Sequence, residues 1–144
     1  MVSVLMAVPG QPGCKEHLRT IEQDLAELAP VRQWAVDALN AQDSVFEQDV
    51  LLVVDELVSN ALRHATGPYW LSLCSCSGRL RVTVSDNSAV PARTRAPDSG
   101  GGRGMRIVTA YADDWGQTIG ESAKMVWAEF RDMSRHQCCP STAT

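Results

Sequence analysis

The sequence predicts an α+β fold, a two-layer sandwich in which a mixed, mainly antiparallel sheet carries helices on one face. Three observations predict it. The stretch Asp49 to Ala65, DVLLVVDELVSNALRHA, has helical periodicity. The segments on either side of Ser77-Gly78 alternate in the manner of a hairpin. A further helical pattern and a second hairpin fill the last third of the chain.

The long helix is the element around which the chain is organised. Phe46, Val50, Val53, Leu57 and Ala61 recur every three or four positions. Ser44 and Glu47 form a capping box, in which the hydroxyl accepts from the first free backbone N–H groups and the carboxylate reaches back. Gly67-Pro68 closes the helix, with glycine expected in the left-handed cap position. Glu56, Asn60 and His64 are spaced four apart and form one polar row, with Arg63 beside it. A carboxylate, an amide oxygen and a base at this spacing suit a Mg²⁺-bound phosphate. Glu56 would polarise a nucleophile, Asn60 would supply a hard oxygen, and Arg63 or His64 would face phosphate oxygens. A solvated helix face is the plainer alternative.

At 144 residues and 44% hydrophobic, the chain suits one core and is short for two domains. The net charge of -4 and the lack of a basic run argue against a nucleic-acid binder. Val2 to Val8 is apolar but lacks a basic lead-in, and no stretch approaches a membrane span, so a soluble, cytoplasmic protein is expected. The five cysteines show no metal-ligand spacing, and free thiols in a reduced compartment are expected.

Lys15 to Gln23 is compatible with a short strand or a loose lead-in. A helix is predicted over 29–41 from Val31, Ala35 and Leu39, with Pro30 either kinking it or standing in its first turn. His17-Leu18-Arg19-Thr20 faintly resembles the phospho-acceptor box of sensor histidine kinases. The acid and the proline of that box are missing, and the interval before the long helix holds only one helix-sized pattern.

Tyr69, Leu71 and Leu73 share one strand face, and Leu80, Val82 and Val84 share the core face of the next strand. Period two places Asp86 on that same face. A carboxylate aimed at the core side needs a partner. A pocket floor supplies one, where the carboxylate accepts from an exocyclic amine such as that of adenine; an Asx-turn opening the Asn87-Ser88 loop is the alternative.

Residues 87–103 form a proline-containing loop poor in large apolar residues, ending in Gly100-Gly101-Gly102-Arg103-Gly104. Met105, Ile107, Val108 and Tyr111 then read as a helix that stops near Asp113-Asp114. Small residues at a helix N-terminus let phosphates approach free N–H groups. The last hairpin joins Trp115–Ile119 to Lys124–Phe130. In its second strand Met125, Trp127 and Glu129 face one way and Val126, Ala128 and Phe130 the other, which suits a central strand. The tail from Met133 is polar.

Three blocks occur in a telling order: E-L-V-S-N-A-L-R-H on a helix, V-S-D-N-S after a strand, and G-G-R-G-M-R-I-V opening a helix. Together they resemble the N, G1 and G2 boxes of the GHKL superfamily of ATP-binding domains, the Bergerat fold. The final K-M-V-W-A-E-F strand and the short lid are most similar to the anti-sigma-factor serine/threonine kinase group. The resemblance implies a lead-in over 1–24, a histidine-kinase-like ATPase domain over 25–132 and a flexible tail over 133–144. It implies Glu56 as general base, Asn60 as the Mg²⁺ ligand, Asp86 as adenine reader, and Gly101, Gly102, Arg103, Gly104 and Met105 as the ATP lid. Arg63 and His64 match positions that often carry a basic residue and an aromatic or histidine. The superfamily usually has glycine two residues after the aspartate; here Ser88 stands there, so the turn under the adenine differs. The cofactors implied are ATP and Mg²⁺. The partners implied are an anti-anti-sigma-type substrate, a sigma factor and a second copy of the chain, with no nucleic acid and no membrane. An ATP-gated binding module without transfer activity and an interaction domain without nucleotide are the alternatives.

Overall fold

The computed structural model of the chain describes residues 15–39, 45–76, 78–87, 103–120 and 123–131. Five strands, β1 (Lys15–Ile21), β2 (Tyr69–Cys76), β3 (Arg79–Asp86), β4 (Asp114–Ile119) and β5 (Lys124–Arg131), form one sheet in the order β1-β2-β3-β5-β4. All four described pairings are antiparallel. The helices α1 (Leu28–Leu39), α2 (Val45–His64) and α3 (Arg103–Tyr111) supply the second layer. Strand β5 is central, between β3 and β4, as its apolar character on alternate positions predicts.

The core lies between the layers. Val50, Val53, Val54, Leu57 and Val58 of α2 meet Leu71, Leu73, Leu80, Val82, Val84 and Ala128 of the sheet, and Val31, Ala35, Met105 and Val108 complete it. Burying one such side chain contributes about 1.5–3 kcal/mol. Phe46 meets Phe130 edge to face, with ring centroids 6.1 Å apart.

Sequence reasoning placed α1 at 29–41; it begins one residue earlier, and a 3₁₀ turn at Leu25–Glu27 precedes it. Asp24 caps that turn, its carboxylate accepting from the Ala26 amide at 2.9 Å. Pro30 stands in the first turn of α1, where its missing N–H leaves no gap in the helix ladder. Arg32 of α1 pairs with Asp55 of α2. Ser44 lies outside the described residues. The expected strand at the lead-in is β1, an edge strand whose residues are nearly all exposed. His17 therefore sits on a strand rather than a helix.

Two expectations are corrected, for Gly67 and for Cys76. Gly67 does not adopt the left-handed conformation: the positive-φ glycine among the described residues is Gly78, at 79° in the β2–β3 turn. Gly67 matters through close approach instead, since a Cβ there would stand 2.9 Å from Cε2 of Tyr69. Met105, Ile107, Val108 and Tyr111 do lie on one helix, which ends on the exposed Tyr111, while Met105 and Val108 are buried. Free thiols hold for Cys74 but not for Cys76, which is disulfide-bonded. Period two puts both cysteines on the sheet face away from the helices.

That outer face carries a charged cluster. The Arg81 guanidinium lies 4.1 Å from the centroid of the Trp127 ring and 3.5 Å from Glu129, whose other oxygen accepts from Arg131 at 2.9 Å. Gly116 of β4 lies opposite Trp127, and a Cβ there would stand 2.6 Å from Cζ2 of the indole. Leu18 and Trp70 are exposed on the same face.

Candidate functional site

The buried stripe of α2 fixes how its polar row is presented. Leu57, Val58 and Ala61 face the core, which leaves Glu56 and Asn60 half-buried and Arg63 and His64 exposed near the helix end. Asn60 meets the first turn of α3, its Nδ2 donating to the Met105 sulfur at 3.8 Å. That contact engages the amide nitrogen; the other polar atom of the side chain, its carbonyl oxygen, is an acceptor. Among the described residues no group of three His, Cys, Asp or Glu is placed to hold a metal. Met105 is fully buried, and Arg103 and Gly104 open α3 just before it. Ser88, Gly101 and Gly102 lie outside the described residues.

Asp86 ends β3 on the helical face, with 1% of its surface exposed. The register pairs it with Lys124 of β5, and the Lys124 Nζ is 3.8 Å from Asp86 Oδ2. This ion pair was absent from the sequence reading. A usable signal was there: counting back by two from Val126 puts Lys124 on the core face, the same anomaly that singled out Asp86.

The ends of α2 and β3 are stitched together. The Asn87 amide donates to the Thr66 carbonyl at 2.8 Å, and the Tyr69 hydroxyl donates to the Ala65 carbonyl at 2.8 Å. Burial first, and the Asp86 charge second, push the Tyr69 phenol above its ordinary value, so it stays a neutral donor at physiological pH. Packing of α2 against α3 and β3 thus brings Asn60 to the glycine-preceded end of α3, and the close of α2 to Asp86. Glu56 shares the helix row, while Arg63 and His64 project from its end.

Chemically, the arrangement offers a buried acceptor beside a donor and an amide oxygen beside a helix N-terminus, with a half-buried carboxylate one turn earlier on α2. Those are the elements of a site for a base attached to phosphates.

A family model described as "Histidine kinase-like ATPase domain" matches residues 21–130. Among solved structures, the RsbU and RsbW domains of Rv1364c from Mycobacterium tuberculosis superpose with a TM-score of 0.61 at 15% identity, over 82% of this chain and 32% of that one. A histidine kinase domain from the Erythrobacter litoralis EL346 blue-light activated histidine kinase superposes with a TM-score of 0.52 at 22% identity, over 81% of this chain and 64% of that one. The chain thus spans less than two thirds of either structure. No curated protein matches.

Proposed function

Because the chain belongs to the histidine kinase-like ATPase family, we propose that it is a Mg-ATP-binding regulatory protein that phosphorylates a serine or threonine of a partner regulator, as anti-sigma-factor kinases do. The observation that carries the nucleotide reading is Asp86: a carboxylate buried on the helical face, at the strand end where α2 closes.

In this reading Asp86 accepts from the exocyclic amine of adenine, Asn60 gives its amide oxygen to the cation, and Arg63 and His64 face phosphate oxygens. Gly101, Gly102, Arg103, Gly104 and Met105 form the phosphate-side lid, and Ser88 lies in the turn under the base. When bound, Mg²⁺ neutralises phosphate charge during transfer. Glu56 orients or accepts the proton of the attacking hydroxyl. The partners are an anti-anti-sigma-type substrate and a sigma factor, with a second copy of the chain as a further partner and the cytoplasm as the location. Among the described residues no helix is long and apolar enough to cross a membrane. Ser88, where glycine is usual, favours a second reading as an ATP-gated binding module without transfer.

Titration calorimetry with ATP, with and without Mg²⁺, tests binding; Asp86→Asn, which swaps a pure acceptor for a group with a competing donor, is expected to abolish it. Glu56→Gln separates the two readings. It is expected to cut phosphate transfer by about 10² to 10⁴-fold while ATP affinity stays parental. Transfer unchanged in the Gln variant would remove Glu56 as base. Tight Mg-ATP binding by the parent with no transfer to any candidate partner would favour the binding module.

A further inference from the structure

The core face of β5 is apolar from Val126 through Ala128 to Phe130, and all three are buried. Lys124 begins that same face and is itself buried, its side chain 7% exposed. A lysine at a strand start ordinarily carries its ammonium out to water. Here the ammonium turns inward and lies 3.8 Å from a carboxylate whose side chain is 2% exposed. That separation is an ion pair but too long for a hydrogen bond between the two atoms. A buried ion pair stabilises a fold no better than apolar side chains of similar volume. Stability is therefore a weak reason for a lysine and an aspartate to replace the valines used elsewhere on this face.

The pair does have a chemical meaning as a recognition edge. A carboxylate only accepts and an ammonium only donates. An acceptor beside a donor is chemically complementary to the adenine edge, where the exocyclic amine donates and ring N1 accepts. Guanine carries a carbonyl oxygen and an N1–H in those places, so it would set acceptor against acceptor and donor against donor.

We propose that Lys124 is a second base-reading residue of this site, donating from its ammonium to adenine N1 while Asp86 accepts from the exocyclic amine. This deepens the nucleotide-binding reading above and rests on it. Lys124 thereby becomes a specificity determinant that rejects guanine nucleotides and senses the N1 position.

The test is calorimetry on the full chain with ATP, GTP and 1-deaza-ATP, in which a C–H replaces N1. The parent is expected to bind 1-deaza-ATP about 10- to 100-fold more weakly than ATP, the range for a hydrogen bond to a charged group. In Lys124→Met the two ligands are expected to bind alike, and Lys124→Arg is expected to restore part of the discrimination. The parent arm needs no variant, so it decides the matter even where Lys124→Met fails to fold. Equal affinity of the parent for ATP and 1-deaza-ATP would overturn the inference and leave the nucleotide reading standing. A Lys124→Met variant that keeps the parental ratio would reduce Lys124 to a counter-ion of Asp86. A parent that binds no adenine nucleotide at all would overturn both.

Discussion

Asp86 and Lys124 show how much one strand position can carry. Each continues an apolar face by the period of two, and each replaces a valine-like residue with a charge. Cys74 makes the opposite case, a titratable group that the outer face keeps neutral. Burial, and secondarily the Glu16 charge, push its thiol up to about 11 against the pull of Arg81. A raised pKa means that the folded state holds the proton more tightly than the unfolded state. The associated stability is fully present below pH 9.0, the unfolded value, and is lost as pH rises through about 11. Denaturant midpoints measured from pH 8 to 11 are therefore expected to fall across that window, and the fall is expected to shrink in Cys74→Ala. The same burial predicts slow alkylation of Cys74 at neutral pH in the native protein, because the thiolate is the nucleophile.

At the scale of elements, the two hairpins and α2 were legible because each leaves a local imprint: alternation for β2 and β3, a stripe every three or four residues for α2. Strand β1 left almost none, since only Ile21 of its seven residues is buried, and an exposed strand has no apolar alternation to read. Gly67 was misassigned for a different reason. Its role is set by the Tyr69 ring two residues on, which no cap rule anticipates. The Asp86–Lys124 pair escaped because it depends on β3 pairing with β5, a contact between distant parts of the sequence. Gly116 is likewise explained only across strands, as the space in which the Trp127 indole lies. Gly116→Val is expected to displace that ring from beneath Arg81 and to destabilise the protein by about 1–3 kcal/mol, the usual cost of overpacking. Urea denaturation checks the magnitude. An unchanged midpoint would show that the indole moves freely aside.

For the whole molecule, the proposed site is assembled from pieces that only the complete sandwich brings together: the close of α2, the end of β3, the start of β5 and the start of α3. A ligand bound there stabilises the folded state alone. At about a hundredfold excess of free ligand over Kd the gain is about 2.7 kcal/mol, a rise in Tm of roughly 10 °C for a chain of this size. Thermal melts with Mg-ATP are expected to show that rise, and melts of Asp86→Asn are not. An equal rise in both would place the nucleotide elsewhere.

The strand order has a consequence in time. Strands β2 and β3 are neighbours in sequence and close by a two-residue turn, whereas Lys15 pairs with Ser75 and Arg79 with Arg131. Closing long loops is entropically slow, so local hairpins are expected to precede both distant pairings. During N-to-C synthesis β1 waits for β2, its neighbour among the described strands, until both α1 and α2 have been made. Val82→Ala, in the early hairpin, is expected to slow refolding, whereas Ile21→Val, in the late-joining edge, is expected chiefly to hasten unfolding. Stopped-flow chevrons distinguish the two, and a slowed folding limb for Ile21→Val would reverse the order. Asp86 then emerges and enters its hairpin before Lys124 has been translated, so this ion pair can form only once the last hairpin docks.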